Sequence, residues 1–108
     1  MGQSKPFRAT ALVVEDDPMQ REMICLLLEE SEMDVIECES AEAARLVLEQ
    51  AGANLVMLMT DLNLAGHMNG VDLAHVAMKF NPDMDVIITS GSKLRQKLPD
   101  GAKFWTKG

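Results

Sequence analysis

Three short stretches of this chain are apolar almost without interruption: residues 9–14 (ATALVV), 55–60 (LVMLMT) and 86–89 (VIIT). A strand wetted on one face alternates apolar with polar residues. A run without alternation needs cover on both faces, the situation of parallel strands held between helices. Two weaker runs, 34–38 (DVIEC) and 102–106 (AKFWT), complete a set of five. Helical patterns lie between them. Residues 18–31 follow Asp17 as N-cap, with Pro18 at the first helical position and Gln20 three past the cap. Ser40 caps the next, which puts Ala44, Val47, Leu48 and Ala51 on one face and Glu42, Arg45 and Glu49 on the other, with Gly52 as its stop. Residues 71–80 space Leu73, Ala74, Ala77 and Phe80 as one helical face and end at Asn81-Pro82. The order is β-α-β-α-β-α-β, then an irregular or helical stretch, then β. It predicts an α/β fold, a parallel five-stranded sheet with helices on both faces. Within residues 91–101 the sequence offers at most a short helix around 93–97, and no closing helix is expected after the fifth strand.

At 108 residues the chain has room for one core, expected over residues 9–108 behind an N-terminal tail of residues 1–8. The longest apolar run, 23–28 (MICLLL), falls far short of the ~20 residues that span a bilayer. The N-terminus MGQSKPFRAT lacks the apolar centre of a secretory signal, so a cytoplasmic protein without membrane attachment is expected. Cys25 and Cys38 fit no metal-ligand or redox spacing and read as buried reduced thiols. His67 and His75 have no partner histidine at ligand spacing and read as surface residues. The nine methionines read as core filler, Met57 and Met59 in the third strand and Met19 and Met23 on one helix face. The net charge of −7 divides unevenly: residues 1–61 hold 13 acids and 4 bases, residues 62–108 hold 4 acids and 6 bases. An acidic domain without a basic, aromatic stripe is a poor candidate for direct nucleic-acid binding.

In an open parallel sheet, function gathers beyond the carboxyl ends of the strands. The first strand runs into Glu15-Asp16-Asp17, the third into Asp61, the fourth into Thr89-Ser90-Gly91 and the fifth into Lys107. Carboxylates brought together repel one another unless a cation neutralises them, and Mg²⁺ suits a site of one or two carboxylates that shares phosphate oxygens. A carboxylate can attack phosphorus to give an acyl phosphate, while a metal, an ammonium and a hydroxyl stabilise the transferred group. Asp17 before Pro18 is explained by capping alone.

VVEDDP after the first strand, Asp61 after the third, VIITSG after the fourth and FWTK at the end together resemble the receiver domain of two-component response regulators. The resemblance covers the chain from about Thr10 to Lys107 and implies the CheY-like, flavodoxin-like strand order 2-1-3-4-5. It implies Asp61 as phosphoacceptor, Mg²⁺ (or Mn²⁺) held by Glu15, Asp16, Asp61 and the backbone carbonyl of Asn63, and Lys107 on the phosphoryl oxygens. Ser90, rather than Thr89, would be the switch hydroxyl, small Gly91 would leave the approach to Asp61 open, and Phe104 would be the aromatic switch. The implied partners are a histidine kinase or histidine phosphotransfer protein and a downstream protein target. The domain would assist its own phosphorylation and dephosphorylation without being a conventional enzyme.

The sequence departs from that pattern. Ala65 stands where proline is usual, the loop through Gly70 is slightly long, and Gly108 replaces a proline after Lys107. The fourth helix should be short or absent and the fifth missing, baring apolar surface around Phe104 and Trp105 that reads as an interface. A fragment, a homodimer through that C-terminal edge, and swapped elements all fit. Two other functions remain: a phosphorylation-independent interaction module, and a metal-dependent aspartyl-phosphate phosphatase. The latter usually wants a second acid two residues after its nucleophile, where Asn63 stands.

Overall fold

The apolar runs pair side by side. A computed structural model describes residues 8–107; most of the expected tail, residues 1–7, and Gly108 lie outside the described residues. Strands β1 (Thr10–Val14), β2 (Asp34–Cys38), β3 (Leu55–Asp61), β4 (Asp85–Ser90) and β5 (Lys103–Thr106) form one sheet in the order β2-β1-β3-β4-β5. Every neighbouring pair is parallel. Helices α1 (Pro18–Glu30), α2 (Ala41–Ala51) and α3 (Gly70–Phe80) make the crossovers.

One face of the sheet carries α2 and α3, packed on each other. Leu12, Val14, Leu58, Val86 and Ile88 point into this layer and meet Ala44, Leu48, Leu73, Ala74 and Ala77. Alanines let the helices lie close, and each fully buried leucine contributes roughly 1.5–3 kcal/mol. The opposite face is covered only in part. There α1 packs on β1 and β2, above Ala11 and Val13, with Cys25 buried beneath it. Over β3, β4 and β5, among the described residues, no helix lies.

The caps explain where the helices start. Asp17 accepts hydrogen bonds from the backbone N–H of Met19 and Gln20, Ser40 from that of Ala43, and Asn69 forms a reciprocal box with Asp72. Both cysteines are buried and free, and His67 and His75 are exposed.

Two expectations are met and made specific, at residues 93–97 and at Gly52, and two need correction, for Phe80 and for the methionines. Of the two outcomes expected for the fourth helix, short or absent, the structure has the second: no helix forms around residues 93–97. Six residues between Ser-Gly-Ser and Pro99 cannot repay helix nucleation, and Leu94 and Leu98 reach the core from an irregular loop instead. As expected, α2 stops at Gly52, its C-cap, though without a left-handed turn. Gly52 sits at φ −55°, ψ −35° and leads into a 3-10 turn, Gly52–Asn54. Its lack of a side chain serves packing, because a Cβ there would stand 3.1 Å from Phe80 Cβ. Phe80 is 43% exposed rather than a full core member. The methionines divide: Met59 and Met84 are buried, whereas Met19 and Met23 are 75% and 63% exposed.

Candidate functional site

The strands of the inner sheet deliver their charged residues to one rim. Past β1, the backbone N–H of Glu15 still donates to Cys38 O at 3.1 Å, so the residue is held in line with the sheet. Its side chain is 1% exposed. One carboxylate oxygen, Oε2, accepts from the Asp17 N–H at 3.1 Å, and the other, Oε1, from Lys107 Nζ at 2.6 Å. Asp61 is the last residue of β3 and is likewise buried. Lys107 follows β5, anchored by its backbone N–H on Ser90 O at 2.7 Å. Its stem reaches past the end of β4, placing Nζ 3.4 Å from Asp61 Oδ2. Asp16 is exposed beside them, and one carboxylate oxygen from each of Glu15, Asp16 and Asp61 lies within 4.8 Å of the others.

Two carboxylates thus share one ammonium, with a third carboxylate beside them. Burial pushes the Glu15 carboxyl above its ordinary pKa, opposed by the hydrogen bond from Lys107, and the nearby Asp61 charge pushes it further up. For Lys107, burial works against the charge, but the hydrogen bond to Glu15 and the fields of Asp61 and Glu15 outweigh it, so its pKa rises. The donors are hard oxygens, two from nearly buried groups and one open to solvent. That set fits a divalent cation that keeps part of its water shell.

The remaining sequence-predicted residues surround this cluster. Ser90 is fully buried at the end of β4. Its Oγ lies 3.2 Å from Ser92 Oγ and accepts from the Ser92 N–H at 3.1 Å. Thr89 pairs with Asp61 across the ladder, and its hydroxyl donates to Thr60 O at 3.5 Å. A Cβ on Gly91 would meet nothing within 4 Å. Asn63 is exposed, and its N–H reaches Asp61 Oδ1 at 3.4 Å. Phe104 pairs with Ile88 and is partly buried against the core, so Trp105, 54% exposed, is the aromatic that the edge bares. Asp17, exposed at the start of α1, spends a carboxylate oxygen on the helix cap.

Three contributors escaped sequence reasoning. Arg21 donates to Glu15 O at 2.9 Å and approaches Glu37 at 3.5 Å, fixing the loop after β1. Ser92 occupies the Ser90 hydroxyl. Gly70 starts α3 directly beneath the site: a Cβ there would run into the Asp61 carbonyl and stand 2.9 Å from Leu62 Cα. The signal for Gly70 was present in Asn69-Gly70-Val71-Asp72, a capping pattern with glycine at the first helical position.

Comparison with known proteins agrees with this geometry. Residues 11–103 match the family model described as the response regulator receiver domain. The transcriptional regulatory protein ComA of Bacillus subtilis (strain 168) is 28% identical over 98 residues, which are 90% of this chain and 46% of that protein. The chain therefore spans under half the length of this curated relative. Among solved structures, a response regulator receiver protein from Sinorhizobium medicae WSM419 superposes with a TM-score of 0.84 at 22% identity, covering 93% of this chain and 82% of that one. The receiver domain of the hybrid histidine kinase CckA gives 0.79 at 24%, covering 92% and 85%. CheY in a CheX–CheY–BeF3–Mg²⁺ complex from Borrelia burgdorferi gives 0.80 at 20%, covering 93% and 78%.

Proposed function

The chain belongs to the response regulator receiver domain family, and we propose that within it Asp61 accepts a phosphoryl group from the phosphohistidine of a histidine kinase or histidine phosphotransfer protein. One observation carries this reading. The Asp61 carboxylate is held at the strand-end rim with an ammonium 3.4 Å away and two further carboxylates grouped around it. An Asp61 oxygen attacks phosphorus, the P–N bond to imidazole breaks, and an acyl phosphate forms. Lys107 is placed to follow the charge on the equatorial oxygens, exchanging part of its pairing with Glu15 for the phosphoryl group. Glu15, Asp16, Asp61 and the Asn63 carbonyl would hold Mg²⁺ (or Mn²⁺), which supplies charge neutralisation between carboxylates and phosphoryl oxygens. The CheY relative with BeF3 and Mg²⁺ supports that assignment.

Signalling follows from the neighbours of the site. Ser90 would leave Ser92 and turn toward the new phosphoryl oxygens, and Phe104, on the adjacent strand, would repack into the space vacated. The altered edge would then be read by a downstream protein. The test is intact mass after incubation with acetyl phosphate and Mg²⁺. Native protein gains about 80 Da and Asp61→Asn gains nothing. An adduct of equal yield on both, or on neither, removes the proposal.

A further inference from the structure

The loop that carries the acidic pair is closed on itself around Asp16. The Asp17 N–H donates to Glu15 Oε2 at 3.1 Å, and the Arg21 N–H donates to Asp17 O at 2.9 Å. Arg21 Nη1 then returns to Glu15 O at 2.9 Å and completes the ring. Strand β1 ends at Val14, so the Glu15 carbonyl lies past the ladder and takes its donor from a side chain on the next helix. That side chain is 20% exposed, and its Nε lies 3.5 Å from Glu37 Oε1. Glu37 pairs with Val13 across the β1–β2 ladder, so the guanidinium ties the loop to the sheet as well as to α1. Inside the ring Glu15 is buried and Asp16 is exposed. Their carboxylates repel each other and face a third on Asp61. A loop left untied would let them splay.

We infer, on the metal site proposed above, that Arg21 is a positioning residue for the divalent cation. By holding the Glu15 carbonyl it fixes the Glu15–Asp16 peptide plane, and with it the direction in which the Asp16 carboxylate leaves the loop. Its effect runs through the backbone, as the effect of groups behind a metal's own ligands commonly does. A planar fork suits the task, because one guanidinium serves a carbonyl and a carboxylate at once. The charge of Arg21 works the other way. Its field opposes a cation at the neighbouring carboxylates, so by Coulomb's law alone its removal would tighten Mg²⁺ binding. Loss of positioning weakens that binding. The two effects differ in sign.

Isothermal titration of metal-free protein with Mg²⁺, with no phosphodonor present, reads that sign. Arg21→Met keeps most of the stem and should raise the Mg²⁺ dissociation constant about tenfold or more. Arg21→Lys keeps the charge, so the field predicts no change. It should still bind Mg²⁺ more weakly than native protein, because an ammonium cannot hold carbonyl and carboxylate in one fork. Arg8→Met removes the same charge from an exposed pair with Asp34, at the other end of β2, and should leave the constant within about twofold. A second readout needs no metal. Amide hydrogen exchange at residues 15–17 should speed up about tenfold in Arg21→Met while α2 and α3 keep native rates. Either Arg21 variant binding Mg²⁺ as tightly as native protein, or exchange at residues 15–17 unchanged in Arg21→Met, overturns the positioning role and leaves the metal site standing. Asp16→Asn binding Mg²⁺ as native protein does removes the site itself, and the role of Arg21 with it.

Discussion

Lys107 shows how much one side chain does at this rim. It is the ammonium bound to Glu15 at 2.6 Å and is 3.4 Å from Asp61. Lys107→Met should slow phosphorylation by acetyl phosphate by at least about a hundredfold, the usual effect of losing one charge-stabilising donor. Lys107→Arg should fail to restore the rate, because a planar fork cannot replace a compact ammonium between two buried carboxylates. Time courses of intact mass check both. Cys25 makes a separate prediction. Burial, followed by the nearby Glu37 charge, pushes its thiol up to about 11 from an ordinary 9.0. The folded state therefore holds the thiol proton more tightly than the unfolded chain. Stability from this source is complete below pH 9.0 and is lost as pH rises toward 11. Urea titrations at pH 8 and 10.5 should show the loss, and Cys25→Ala should remove that part of it. Iodoacetamide at pH 8 should leave native Cys25 unlabelled.

Among the elements, α1 begins at a residue with two readings. Asp17 stands next to the acidic pair, yet its carboxylate accepts from Met19 and Gln20. Asp17→Ala should cost about 1 kcal/mol in urea unfolding, as lost N-caps do, while the phosphorylation rate stays within about twofold. A variant that folds normally but no longer takes the phosphoryl group would move Asp17 from the cap to the metal. The elements also show what local pattern can and cannot convey. Asp17-Pro18, Ser40 and Asn69 announce helix starts because capping is settled within four residues. Leu94 and Leu98 stand four apart, a spacing suited to a helix, but six residues are too few to repay nucleation and the path is decided by where these two leucines find core.

For the molecule as a whole, the distribution of charge matters most. The net charge is −7, and three of the acids meet at one rim. Mg²⁺ should relieve that repulsion and raise Tm. At tenfold over its Kd the gain is about 1.4 kcal/mol, and about 4–8 °C accompanies each kcal/mol in a domain of this size. Calorimetry with and without Mg²⁺ at matched ionic strength measures it, and Asp16→Asn should abolish most of the shift. An equal shift in that variant would place the ion elsewhere.

Periodicity, caps and strand-end residues were readable from the chain itself: the α/β alternation, Glu15, Asp16, Asp61, Ser90 and Lys107 at successive strand ends, and the buried cysteines. These depend on neighbours within a few residues and on the rule that consecutive apolar runs need cover on both faces. Distance across the chain was not readable. That the Lys107 stem crosses the end of β4 to Glu15, 92 residues away, that Gly70 must lack a side chain beneath Asp61, and that Met19 and Met23 face outward are decided by how layers stack. An apolar residue looks the same in sequence whether a second layer covers it or not. Only the packed sheet, with one of its faces half open, shows the difference.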